Sequence, residues 1–159
     1  MASNGMKRWE IIVAICSILL FGFLFSRDLL ARAAWQKYHS PAASLVLASQ
    51  DTKLLMNLGN YYFNGGAYDL ARAKRAYKKA LRVDSKILWG HYQLARIYFV
   101  EGDFNQALEE INEELKANPE NLRSLYVRGL IYGYRRQAGD LAKAEADFQR
   151  FTQWIPGEW

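Results

Sequence analysis

Chemistry needs convergent polar groups, and this chain offers few of them. It has two histidines, His39 and His91, and one cysteine, Cys16. A histidine could serve as a general base or a metal ligand. However, the sequence has no metal-ligand cluster, no glycine-rich phosphate loop and no nucleophile motif. His91 reads as a half-buried packing histidine rather than a ligand. The Gly102-Asp103 and Gly139-Asp140 pairs read as turns between helices. Cys16 sits inside an apolar run. A lipoprotein reading would want a small residue before it, and Ile15 stands there, so Cys16 reads as a membrane-embedded thiol. A lone cysteine also rules out a disulfide framework and leaves the redox compartment open. Without a convergent catalytic set, the sequence predicts a non-enzyme with no cofactor, no metal and no small-molecule substrate.

The elements that carry the remaining residues are repeated. Between Thr52 and Pro156 a pattern recurs about every 34 residues. The first unit carries Leu55, Leu58, Gly59, Tyr62, Gly66, Tyr68, Ala73, Tyr77, Ala80 and Leu81. The second carries Leu94, Ala95, Tyr98, Gly102, Phe104, Ala107, Ile111, Leu115 and Pro119. The third carries Leu125, Gly129, Tyr132, Gly139, Leu141, Ala144, Phe148, Phe151 and Pro156. Leu55, Leu58, Gly59 and Tyr62 recur at three and four residues, the period of one helical face. Gly65-Gly66 then breaks the helix. Leu70, Ala73, Tyr77, Ala80 and Leu81 make a returning helix, with Gly59 expected to face Ala73. Asn118-Pro119 closes the second unit, and Ser85 takes that place in the first as an N-cap.

This pattern resembles the tetratricopeptide repeat, over about two thirds of the chain. The resemblance implies an all-α fold of three stacked helical hairpins, at about 52–85, 88–119 and 122–156, within a repeat domain spanning 52–159. Stacked hairpins form a superhelix whose concave side binds protein segments. In the family, set positions of each first helix line that side. On this chain they include Lys53, Met56, Asn60 and Phe63, then Trp89, Tyr92, Arg96 and Phe99, then Arg123, Tyr126 and Tyr134. The implied surface is aromatic with cationic spots, suited to an extended peptide with apolar anchors and some acidic groups. Some members clamp a C-terminal carboxylate. Here Asn60, Gln93 and Arg123 fill three of the five clamp positions, but Met56 and Val127 replace two cations, so that clamp is disfavoured.

The second large feature is the uncharged run Ile11 to Phe25. A helix from Trp9 to Ser26 would span roughly 27 Å at 1.5 Å per residue, slightly under a typical hydrocarbon core. Eleven of those fifteen residues are Ile, Val, Leu or Phe, which favours insertion. A cleaved signal peptide is the competing reading. The residues after Phe25 are Ser26, Arg27 and Asp28, a poor cleavage site, so 1–26 reads as an uncleaved anchor contacting lipid through 9–26. Residues 27–51 read as a helical connector: a continuation of the anchor helix, ended by Ser40-Pro41, then an apolar stretch that caps the first repeat.

Charge comes in blocks within a formal net of +5. The returning helix of the first unit, 72–86, is basic, and Lys74, Lys78 and Lys79 are its candidate contacts to anionic lipid. The returning helix of the second unit carries Glu109, Glu110, Glu113 and Glu114, read as a solvated face beside the basic one. That acidic helix argues against nucleic acid as the partner. The positive-inside count is balanced, with Lys7 and Arg8 before the run and Arg27, Arg32 and Lys37 after it. Resemblance to bacterial inner-membrane repeat proteins implies a single-pass anchor with the repeats outside the cytoplasm, serving assembly or quality control of envelope proteins. The alternatives are a cytosol-facing receptor for targeting peptides, or a lipid-surface binder acting through the basic helix. At the end of the chain, Phe148, Phe151 and Trp154 are expected to be covered by Trp159 folding back, or by a second subunit.

Overall fold

The structure is a computed structural model that describes residues 8–153, apart from the side chains of 24 and 25. The terminal Trp154 to Trp159, the capping role expected of Trp159, the closing Pro156 and the basic Lys7 lie outside the described residues. Among the described residues there are eight helices and no strands: α1 (Arg8–Gln36), α2 (Pro41–Leu47), α3 (Thr52–Asn64), α4 (Leu70–Val83), α5 (Gly90–Val100), α6 (Phe104–Ala117), α7 (Leu122–Arg135) and α8 (Asp140–Thr152).

Aspartates start three of these helices. Asp51 accepts the Leu54 N–H at 3.0 Å, Asp69 that of Arg72 at 2.9 Å, and Asp103 that of Gln106 at 3.1 Å. Each satisfies an N–H that the first helical turn leaves without a partner. Pro41 at the first position of α2 has no N–H to satisfy. The helix expected to start at Ser85 instead begins at Gly90, with Trp89 in the left-handed region at φ 72° as its N-cap.

Each helix packs antiparallel on the next, so α3–α4, α5–α6 and α7–α8 form three hairpins. In α3–α4 the Tyr77 ring covers Gly59, where a Cβ would lie 2.3 Å from a ring carbon. The residue that Gly59 meets is therefore Tyr77. Gly129 in α7 lies in the same way under Phe148 of α8. The continuous core holds Leu55, Leu58, Tyr77, Leu94, Ile97, Ile111 and Ile131. Fully burying each such side chain is worth about 1.5–3 kcal/mol.

The core extends into the N-terminal elements through Ala31 of α1 and Leu45 and Ala48 after the bend. The Trp35 ring meets Tyr61 edge-on at 5.6 Å. Asp28 accepts the N–H groups of Ser49 at 2.6 Å and Gln50 at 3.1 Å, and Arg32 pairs with Asp51 at 2.5 Å. One helix therefore carries both the apolar run and the surface that docks on the first hairpin. α1 is long and apolar enough to cross a membrane.

At the other end, Phe148 and Phe151 are half-buried, and both rings pack on Tyr126, at 5.8 and 5.2 Å between centroids. Two bidentate ion pairs also tie α7 to α8. Arg128 donates twice to Asp147, each at 2.7 Å, and Arg135 donates twice to Asp140, at 2.9 and 2.8 Å.

Candidate functional site

The first helices of the hairpins, α3, α5 and α7, form one face, and two clefts meet there at Trp89. A cleft of about 450 Å³ between α3 and α5 is bounded by Lys53, Met56, Asn60, Leu88, Trp89 and Gln93. One of about 600 Å³ lies on the other side of Trp89, against Pro119, Asn121, Leu122 and Arg123. The ring of Trp89 meets Tyr92 edge-on at 5.1 Å, and the Arg123 guanidinium lies 5.8 Å from its centroid.

Glu114 of α6 holds the backbone from which this ring projects. Its side chain is fully buried. It accepts the Trp89 N–H and the Tyr92 N–H, both at 3.1 Å, and the side-chain amides of Asn118 at 2.9 Å and Asn121 at 3.0 Å. A carboxylate at the N-terminus of α5 also complements the helix dipole. A bulky residue at positive φ costs of order 1–3 kcal/mol, and such a conformation persists only where its surroundings hold it. The reading of Glu114 as part of a solvated face is thus corrected. It continues the buried stripe Ala107, Ile111, and that spacing was the available signal.

A polar ladder crosses the face beside Trp89. The Tyr77 hydroxyl donates to Asn60 Oδ1 at 2.8 Å, and Gln93 Nε2 donates to the same oxygen at 3.1 Å. Gln93 Oε1 in turn accepts from Arg96 at 2.8 Å. The Arg96 guanidinium lies 4.8 Å from the Phe63 centroid and 5.7 Å from that of Tyr92. With its oxygen doubly used, the exposed Asn60 side chain still has its amide N–H groups for a ligand. Arg96, braced by rings and half-buried, keeps donors for an acidic or carbonyl group.

The structure therefore brings together Lys53, Asn60, Trp89, Tyr92, Arg96 and Arg123. Phe99 and Tyr134 meet edge-on at 5.2 Å and share Phe104, at the opposite end of the same helices. Tyr126 stands apart, with its ring on Phe148 and Phe151 of α8. Leu88 and Phe104 are additions. Leu88 lies in the turn before α5 and Phe104 at the first position of α6, where helical periodicity gives no register.

The basic helix differs from its expected form. Lys74 pairs with Glu101 at 2.8 Å, and Lys78 donates to the Tyr98 hydroxyl at 2.8 Å. Lys79 donates to the carbonyls of Leu45 at 2.7 Å and Ala48 at 3.0 Å, and burial pulls its ammonium below the ordinary lysine range. All three ammonium groups thus have partners inside the fold. Among the described residues no salt bridge joins α4 directly to α6. The pairs run through α5, by Lys74–Glu101 and by His91 Nδ1–Glu110 at 2.7 Å. That hydrogen bond to Glu110 holds His91 above the ordinary imidazole range. No group of three or more His, Cys, Asp or Glu among the described residues is placed to hold a metal.

No family model matches the chain. It is 33% identical over 99 residues to TPR repeat-containing protein MJ1428 of Methanocaldococcus jannaschii, an alignment that covers 62% of this chain and 17% of that one. It is also 33% identical over 82 residues to cellulose synthase operon protein C of Pseudomonas fluorescens, covering 52% of this chain and 6% of that one. The chain thus spans less than a fifth of either relative. Its fold is similar to that of two crystal structures of MamA. One has a TM-score of 0.62 at 18% identity, covering 82% of this chain and 77% of that one. The other has a TM-score of 0.59 at 16% identity, covering 86% and 79%.

Proposed function

We propose, on the premise that this chain is a tetratricopeptide-repeat protein, that it is a membrane-anchored scaffold holding an extended segment of a protein partner against α3, α5 and α7. Repeats of this class are scaffolds typical of protein–protein interaction. The observation that supports the groove is the juxtaposition at Trp89. A ring on a braced backbone, packed on Tyr92 between two clefts, lies beside the amide of Asn60 and the braced Arg96. Rigid aromatic anchors with adjacent fixed donors suit a segment carrying an aromatic or aliphatic side chain and a nearby carboxylate.

Panning a displayed peptide library on the detergent-solubilised full chain tests this reading. Enriched peptides carrying aromatic and acidic residues should lose at least tenfold in affinity against Trp89→Gly and against Arg96→Gln. Glycine is the right replacement at 89 because it removes the ring and accepts the positive φ. Peptides that bind both variants undiminished would place recognition elsewhere.

The anchor in this proposal is α1, whose length and apolar character support a single crossing. We place the repeats outside the cytoplasm, among envelope proteins. Thiol labelling of Ser85→Cys in intact cells tests the orientation, and labelling only after permeabilisation would make the chain a cytosol-facing docking receptor instead.

A further inference from the structure

We infer that one edge of the repeat domain, where α2 and α4 end, is a contact surface for anionic phospholipid headgroups. Arg27, Arg82 and Lys86 supply charge on this edge, and Val46, Val83 and Leu88 supply apolar contact. The inference rests on the reading of α1 as a membrane crossing and adds to it how the domain sits on the bilayer.

The argument follows the alternation of the helices. The uncharged run of α1 ends at residue 25, and Arg27 is the first cation after it, so the bilayer surface lies at the level of Arg27. α1 does not stop there. It continues to Gln36 and docks on the first hairpin. α2 returns antiparallel, bringing the Val46 carbonyl within 3.4 Å of Arg27 Nη2 and the Ser49 N–H within 2.6 Å of Asp28. The end of α2 therefore lies at the height where α1 leaves the bilayer. Lys79, bound to the Leu45 and Ala48 carbonyls, brings the last turn of α4 to the same height. Arg82, Val83 and Lys86 follow Lys79 along the chain, and α4 runs in that direction.

The composition of the edge fits a bilayer interface. Val46, Val83 and Leu88 are 57%, 38% and 50% exposed. Arg82 and Lys86 are exposed, and among the described residues neither side chain is in a salt bridge. Of the nearby carboxylates, Asp28 is taken up by the Ser49 and Gln50 N–H groups, whereas Asp84, which accepts the Lys86 N–H, and Glu120, beside Leu88, are exposed, so Arg27, Arg82 and Lys86 leave the edge net positive. Basic side chains beside exposed apolar ones are what an anionic headgroup layer holds. The lysines of the outer face of α4 are not needed, since their ammonium groups are already partnered. The opposite edge, with the turn at Ala67, points away from the bilayer.

The full chain is reconstituted in phosphatidylcholine vesicles with and without phosphatidylglycerol. In a Cys16→Ser background, a fluorophore is placed at Leu88→Cys or at Ala67→Cys. Lipids spin-labelled near the headgroup should quench the Leu88 probe in the anionic vesicles and leave the Ala67 probe unquenched. Arg82→Glu with Lys86→Glu should reduce that quenching to its level in the neutral vesicles with an unchanged circular dichroism spectrum, and about 0.5 M salt should do the same. Equal quenching of the Leu88 probe in neutral vesicles would overturn recognition of anionic headgroups. Absence of quenching in a chain that resists carbonate extraction would overturn the inference and leave the anchor standing. Release by carbonate would remove the anchor and the inference together.

Discussion

The fully buried carboxylate of Glu114 accepts the N–H of Trp89 at 3.1 Å, from a helix that follows Trp89 by a full hairpin arm. This bond couples the second returning helix to the ring between the two clefts. Its loss should therefore affect stability and recognition together. Glu114→Ala leaves two N-terminal N–H groups and two asparagine amides without their acceptor, and should cost about 3 kcal/mol or more. Glu114→Gln keeps the shape and should cost less. Urea denaturation of the solubilised chain measures both, and an Ala variant as stable as the parent would refute this account of Trp89.

Two glycines on α7 should respond in opposite directions to the same change. A Cβ on Gly129 would come 2.6 Å from the Phe148 ring, whereas one on Gly133 meets nothing within 4 Å. Gly129→Ala should lose about 1–3 kcal/mol to overpacking. Gly133→Ala should gain about 0.5–1 kcal/mol, because alanine is the better helix residue where space is free. Thermal melts of the two variants should shift in opposite directions.

The hairpins were legible because their apolar residues keep the helical period and glycines interrupt it at the turns. The rings of the face followed once the repeat fixed the register, since Trp89, Tyr92 and Arg96 occupy successive positions on one helix. Glu114 was hidden by its type. A glutamate among three others reads as surface, and only its place on the Ala107, Ile111 stripe argued otherwise. The left-handed start of α5 at Trp89 has no local signature, because the acceptors that hold it come from another helix. The role of Lys79 was illegible for the same reason: its partners are backbone carbonyls more than thirty residues away.

That lysine gives a third prediction. Its ammonium completes the C-terminal end of α2, where the last carbonyls lack helical donors. Lys79→Met keeps the stem and removes the donor, and should cost about 1–3 kcal/mol. Hydrogen exchange should speed up first at the amides of α2 and of the last turns of α1, well before those of α7. Uniform loss of protection would mean that α2 is not held through this contact.

The pH dependence of stability should have two arms with separate owners. The hydrogen bond from Glu110 raises His91, with Glu114 adding attraction and burial opposing it. A base raised in the folded state contributes stability that is fully present below its unfolded value of about 6.5 and is lost as pH rises through the folded value. Asp140 behaves oppositely. The Arg135 guanidinium, helped by the Gln137 N–H, holds its carboxyl down to about 2 against desolvation. Its contribution is present above the unfolded value of about 3.9 and is lost as pH falls towards the folded one. Melting temperature against pH should therefore decline on both sides of a plateau between those two unfolded values. His91→Gln should flatten the alkaline decline and leave the acid one. Asp140→Asn should lower the plateau and weaken the acid decline. An alkaline decline that survives in His91→Gln would assign it to another group.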